Sequence, residues 1–468
     1  MRRFFTCQVL FFALLLASAA APSLRAQEPS PKPAARSVPP ISDTQDDSET
    51  PAGSLQPDSA PPTGILAPTL GTPVLEHSFV AFGAQFGSTI QSPSAGPGDW
   101  YADNYFLGNL TLVKNWRQGI TSINYSGGGY VSTNGSIGNG NYQNLSFLQE
   151  LRSARWNLTL VDAFAYLPQS QFGFGGGTNI GQPGIGGTLS VSSPGITTGP
   201  NQDIFSANGP RYMNNAAVQA TYTLSGKDSF TFTGSYGLLN FADSGNLSNT
   251  TITGGVGYNR RLSKADTVGV FYNFSAFHFS DDPQAFGSHS VGLAYGRKLT
   301  GRLAIQLSGG AQINDFRIPA SGSNSRSLVA GFGSANLTYG IPNGNLTLSY
   351  SHGSSNGSGV LVGSEMDQVY LSAGHKIGRV WNGFASFGYS RNTPLGNFAN
   401  FNNATYNDWF LGAGVGRPFG RSVTFALAYT ANFERANQPG CAGSQCIDST
   451  QQMITLSFQW HARPFVLR

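Results

Sequence analysis

From about residue 76 onward the polar connections of this chain alternate short, long, short, long, and the charges sort with them. The short connections carry Lys114 and Arg117, Arg152 and Arg155, Lys227, Arg260, Arg261 and Lys264, Arg297, Lys298 and Arg302, Lys376 and Arg379, Arg417 and Arg421. Their only acids are Asp228 and Asp266. The long connections and adjacent strand ends hold Asp99, Asp103, Asp203, Asp243, Asp281, Asp282, Glu365, Asp367, Asp408, Glu434 and Asp448. A structure with one basic end and one acidic end is two-sided. The simplest such object is a closed antiparallel sheet whose two rims meet different surroundings.

The segments between these connections read as strands because apolar and polar residues alternate with a period of two. Leu303, Ile305, Leu307, Ala311 and Ile313 oppose Ala304, Gln306, Ser308, Gln312 and Asn314. Val423, Phe425, Leu427, Tyr429 and Phe433 oppose Thr424, Thr430, Asn432 and Glu434, and Ile454, Leu456, Phe458 and Trp460 oppose Thr455, Ser457 and Gln459. The polar faces are Ser, Thr, Asn, Gln and Gly, and only 11% of the chain is charged. A soluble sandwich or propeller, the competing architecture, places its apolar face inward and charge outside. Tyr105, Trp116, Tyr142, Trp156, Tyr212, Trp381, Tyr406, Trp409 and Trp460 fall near strand ends, as in the aromatic girdles of a membrane barrel. The pattern predicts an all-β, transmembrane, antiparallel up-and-down barrel of about 18 strands between 76 and 462, with sixteen as the alternative count. The least regular of these strands are the first, 76–90, and 327–339.

Two segments precede the barrel. Arg2 and Arg3, the apolar run Val9 to Ala20 and the small residues up to Ala26 form a signal peptide over 1–26. Residues 27–75 are rich in Pro, Ser and acids and lack aromatics, so they read as an extended disordered linker before the 76–468 barrel. The net charge of +4 is spread over turns and forms no nucleic-acid patch. Cys441 and Cys446 would pair as a loop disulfide in an oxidising compartment. No histidine stands beside them to make a metal site, and no cofactor motif is present.

On these features the chain resembles a Gram-negative outer-membrane β-barrel of the porin type. The resemblance is architectural, without a family-specific motif. Ile454-Thr455-Leu456-Ser457-Phe458-Gln459-Trp460 resembles the terminal signal read by the barrel assembly machinery, but His461 to Arg468 follow it where such barrels usually end on an aromatic residue. The resemblance implies cell outer-membrane localisation, outer-membrane lipids around the wall, short turns facing the periplasm and, as one assembly, a homotrimer.

The implied function is passive diffusion of small polar solutes through a hydrated lumen. Glu150, Asp162, Asp315, Asp408 and Glu434 are the pore-lining candidates, and they predict weak selectivity for cations or neutral solutes. The longest connection, 168–210, either folds into the lumen or stays outside. An alternative is a lipid hydrolase in which His352 activates Ser354, both assigned to the lipid face. Such a pair needs a third group to orient the imidazole, and the sequence does not identify one. A non-conducting structural or adhesin barrel is the remaining alternative. His77, His278, His289, His375 and His461 show no ligand spacing.

Overall fold

A computed structural model describes residues 78–92, 100–133, 139–167, 209–242, 246–280, 285–317, 326–355, 357–395, 404–420, 422–437 and 448–467. The signal segment, the linker, most of 168–210 and the Cys441–Cys446 pair lie outside them. The strands are β1 Ser78–Gln91, β2 Tyr101–Trp116, β3 Gly119–Ser132, β4 Gly140–Arg152, β5 Trp156–Leu167 and β6 Arg211–Thr223. They continue as β7 Asp228–Phe241, β8 Asn249–Arg261, β9 Asp266–Phe279, β10 Ala285–Lys298, β11 Leu303–Arg317 and β12 Arg326–Ile341. The remainder are β13 Gly344–Ser355, β14 Ser364–Ile377, β15 Trp381–Pro394, β16 Thr405–Phe419, β17 Val423–Asn437, β18 Asp448–His461 and a short β19, Phe465–Leu467.

Each strand pairs antiparallel with the next, and β1 pairs with both β2 and β18, so the sheet closes into an eighteen-strand up-and-down barrel. Closure leaves no free edge, and every ladder hydrogen bond is made within the wall. Thr89 and Thr455 bond through their hydroxyls across the seam at 2.9 Å.

Register assigns the faces. Phe86, Phe106, Leu293 and Ile454 point outward, and Leu293 is 68% exposed. Gln85, Asn144, Gln312 and Asn432 point inward. The exposed apolar surface is therefore the outer wall, the inverse of a soluble sandwich. At the turn end, Lys114 Nζ lies 4.0 Å from the Trp116 ring centre and the Arg417 guanidinium 5.4 Å from that of Trp381. These cation–aromatic pairs mark one interfacial girdle. Tyr166 against Tyr212 and Tyr389 against Trp409 mark the other, at the loop end.

The short turns are built from local hydrogen bonds. Ser225 Oγ donates to Asp228 Oδ2 at 2.7 Å, and the Tyr258 hydroxyl donates to Asp228 Oδ1 at 2.6 Å. The same device recurs one hairpin later, with Ser263 and Tyr295 donating to Asp266 at 2.7 and 2.8 Å. The Tyr258 and Ser225 hydroxyls hold the Asp228 carboxyl below the ordinary carboxylate range, and those of Ser263 and Tyr295 do the same for Asp266. The two acids at the basic rim are turn locks. The two-residue turn Pro342-Asn343 needs a left-handed residue, and Asn343 supplies it at φ 61°.

The C-terminal tail does not hang free of the wall. Residues 462–464 stand opposite 81–82 as a bulge, after which Phe465 pairs with Val80 and Leu467 with Ser78. Phe465 thereby returns an aromatic ring to the outer face, 5.6 Å from Phe82. Truncation after His461 removes these pairings, worth roughly 1 kcal/mol per hydrogen bond. The expected result is a smaller heat-modifiable fraction on cold gel electrophoresis after refolding; an unchanged fraction would show that the tail contributes nothing to closure.

Candidate functional site

A barrel of this strand number is wide enough to hold water, yet its loop end is filled. The side chains that fill it are inward-facing and mostly apolar. Tyr105, Leu107, Tyr130 and Tyr142 form one cluster on β2 to β4. Phe277, Phe279, Phe286 and Phe316 form a second on β9 to β11, where Phe286 stacks on Phe277 at 4.3 Å and on Phe316 at 5.5 Å. Leu239 and Phe241 form a third on β7.

The connection between β13 and β14 folds inward onto these clusters. Val362 packs with the phenylalanines of β9 to β11, Val360 with Leu239 and Phe241 of β7, and Leu361 with Ala404 and Tyr406 at the start of β16. β7 and β16 stand nine places apart in a ring of eighteen, so the connection touches opposite walls. Burying Leu361 and Val362 stabilises this placement by about 1.5–3 kcal/mol each. The backbone adds Leu247 N–H to the Gly359 carbonyl at 2.7 Å and Leu395 N–H to that of Gly363 at 3.4 Å. Gly359 and Gly363 have φ of 86° and 76°, and a Cβ on either would come within 2.6 and 2.7 Å of Phe241 and Phe286. Only glycine meets both requirements there. At the base of the connection the Ser355 and Ser364 hydroxyls bond at 2.6 Å.

Polar wall groups at the same end are enclosed: Asn249, Asn314, Ser390 and Asn392 are 0% exposed. Gln91 Nε2 donates to Asp103 Oδ2, and Gln451 Nε2 donates to Gln91 Oε1 at 3.0 Å. At the turn end the inward-facing Arg152, Lys298 and Lys376 are exposed and Arg261 is half-buried. The interior is thus a vestibule with a basic rim leading to a constricted, partly aromatic loop end.

The candidates read from sequence separate on this frame. Asp408 and Glu434 are inward cross-strand partners, each 1% exposed, so they act on the lumen through their field and not by contact. Glu150 faces inward near the turn end and accepts from Arg152 Nε at 2.7 Å. Asp162 and Asp315 do not face the lumen. Asp162 shares the outward face of Leu158, Leu160, Phe164 and Tyr166 and accepts from Asn214 Nδ2 at 2.8 Å. Asp315 shares the outward face of Ile313 and is bonded by the Ser327 hydroxyl at the loop end. Strand alternation fixes a side chain's face whatever its charge, and it overrides the expectation that these two carboxylates line the pore.

His352 faces outward at the loop end between two carboxylates. Its Nδ1 lies 2.8 Å from Asp367 Oδ1 and its Nε2 3.2 Å from Glu365 Oε1, and the Tyr350 hydroxyl donates to Asp367 at 3.0 Å. Asp367 is the orienting group that the sequence does not identify. The nucleophile is missing from the arrangement, because Ser354 Oγ accepts from the inward Asn314 Nδ2 at 2.9 Å. Both imidazole nitrogens are engaged by carboxylates, so the described geometry contains no His352–Ser354 relay.

No protein-family model matches the sequence, and no curated protein is similar to it. Among solved structures, the chain is similar to the outer membrane protein OpdK of Pseudomonas aeruginosa, at 11% identity and TM-score 0.43, over 83% of this chain and 99% of that one. OccK2 (OpdF) of the same organism matches at 9% identity and TM-score 0.43, over 82% and 98%. OpdQ, also from that organism, matches at 8% identity and TM-score 0.41, over 83% and 99%. The closed register, not these likenesses, establishes the barrel.

Proposed function

We propose that this chain is an outer-membrane channel for the passive diffusion of small polar solutes, narrowed at its loop end by residues 357–363. One observation carries the reading: a closed eighteen-strand wall exposes apolar side chains outward and turns Ser, Thr, Asn and Gln inward. A wall of that polarity is stable with acyl chains outside and water within. Fixed acids at the narrow end, Asp103, Asp408 and Glu434, favour cations and neutral solutes weakly over anions, and Glu150 at the turn end adds little because Arg152 neutralises it.

The enclosed loop end supports a second reading, a structural barrel that does not conduct. Reconstitution into planar bilayers separates the two. Discrete single-channel steps, with a small cation-selective reversal potential in a salt gradient, are the expected result. Strong anion preference would overturn the selectivity statement, and an absence of steps from verified folded barrels would favour the structural reading.

A further inference from the structure

Arg391 and Arg435 break the acidic character of the loop end. Register sets Arg391 of β15, Asn407 of β16 and Arg435 of β17 side by side in one row, all facing outward. Both arginines are exposed, and their backbones stand about 10 Å apart across two strand spacings. The Tyr389 hydroxyl donates to Asn407 Oδ1 at 3.1 Å, which leaves the two amide N–H groups to another acceptor. The neighbouring acids are occupied or turned away. Asp367, the register partner of Arg391, is taken up by His352 Nδ1 at 2.8 Å and by the Tyr350 hydroxyl at 3.0 Å. Asp408 and Glu434, next in sequence to Asn407 and Arg435, face inward. Among the described residues, no carboxylate lies within 4.0 Å of either guanidinium. The row therefore presents donors without an acceptor.

Toward the membrane the same wall becomes hydrocarbon. Tyr389 and Trp409 come first, with ring centres 5.5 Å apart. Six residues along from Asp367, Arg391 and Asn407 lie Ala373, Ala385 and Ala413, a second register row across β14 to β16. Six residues are about 20 Å of strand, or about 15 Å of depth at a tilt of ~40°, half of a hydrocarbon core ~30 Å thick. The small side chains hollow the outer surface there. Leu427 and Tyr429 of β17 rise beside them, and the result is an apolar groove of about 670 Å3.

We infer that this wall binds a phosphate-bearing lipid of the outer leaflet, with its phosphate on Arg391, Asn407 and Arg435 and an acyl chain in the alanine groove. Charge and shape both select that occupant. A phosphate is an acceptor with several oxygens, so it can take two guanidinium forks and an amide together, whereas a planar carboxylate is satisfied by one fork. The groove adds a contact that free phosphate cannot use. Filling it removes apolar surface from neither water nor lipid, so its contribution is dispersion contact with a chain that fits.

The inference rests on the membrane reading, so folding is verified first by heat-modifiable mobility of barrels purified in a neutral maltoside detergent. Dimyristoyl phosphatidic acid and dimyristoyl phosphatidylcholine are then titrated in, and lipid retained per barrel is read by native mass spectrometry. Preferential retention of phosphatidic acid is expected, undiminished by excess inorganic phosphate. R391Q/R435Q should lower it severalfold. Ala413→Leu, which fills the groove and leaves the charges alone, should lower it too, while R260Q/R297Q at the turn end should not. Folded barrels that retain the two lipids alike, or are indifferent to R391Q/R435Q, would overturn the inference and leave the membrane reading intact. Displacement by inorganic phosphate together with indifference to Ala413→Leu would reduce the site to one for free phosphate and overturn the lipid assignment.

Discussion

Replacing Val360, Leu361 and Val362 together by serine should raise single-channel conductance severalfold while leaving the barrel folded. The three side chains are what holds the inward connection against β7, β9 to β11 and β16. Without them the connection loses its apolar attachment and keeps only the backbone hydrogen bonds at Gly359 and Gly363 and the Ser355–Ser364 contact at its base. Current through a water-filled pore is set by its narrowest section, so releasing one obstruction changes it more than any alteration of the wide vestibule. Gly363→Val should act in the same direction, because a side chain there collides with Phe286 at an already left-handed backbone position. The measurement is conductance in planar bilayers, with heat-modifiable gel mobility as the control for folding. Unchanged conductance in both variants would show that the connection does not limit passage.

How much of this was legible in the sequence varies element by element. Eighteen strands follow from the alternation, including the two least regular: 76–90 is Ser78–Gln91 and 327–339 is Arg326–Ile341. The faces were equally legible, and Asp162 shows the cost of setting parity aside. Leu158, Leu160, Phe164 and Tyr166 share its parity, so the sequence already placed it outward. Assigning it to the lumen followed charge instead of position.

The filled loop end left a weaker trace. Tyr105-Phe106-Leu107 and Phe277-His278-Phe279 are places where both faces become bulky near a strand end, which is the signal of an occupied interior. What fills it could not be read from composition. The connection 168–210 stands out by its length, yet the described inward residues are the short run 357–363, which carries three apolar residues between glycines. Which loop bends inward depends on distant walls meeting it, and that is a long-range fact. The ring of partners around His352 is of the same kind. Asp367 is its cross-strand neighbour on β14, whereas the turn of Ser354 toward Asn314 on β11 has no sequence signature.

The assignment of inside and outside is open to a direct thermodynamic test on one strand. Leu293 and Ser290 lie three residues apart on β10 and face opposite ways. Leu293→Arg should destabilise the folded barrel by about 2–4 kcal/mol, the cost of a cation near the bilayer midplane on the lipid face. Ser290→Arg meets water and neighbouring polar groups in the lumen, so its stability cost should be far smaller, and its effect should instead be a shift of the reversal potential toward anions. Both are measured on the same material, by reversible denaturant unfolding in lipid vesicles and by bilayer recording. A soluble sheet predicts the reverse order, since there the exposed Leu293 side would tolerate arginine and the enclosed Ser290 side would not. Equal costs for the two substitutions would contradict the two-faced wall on which the channel reading depends.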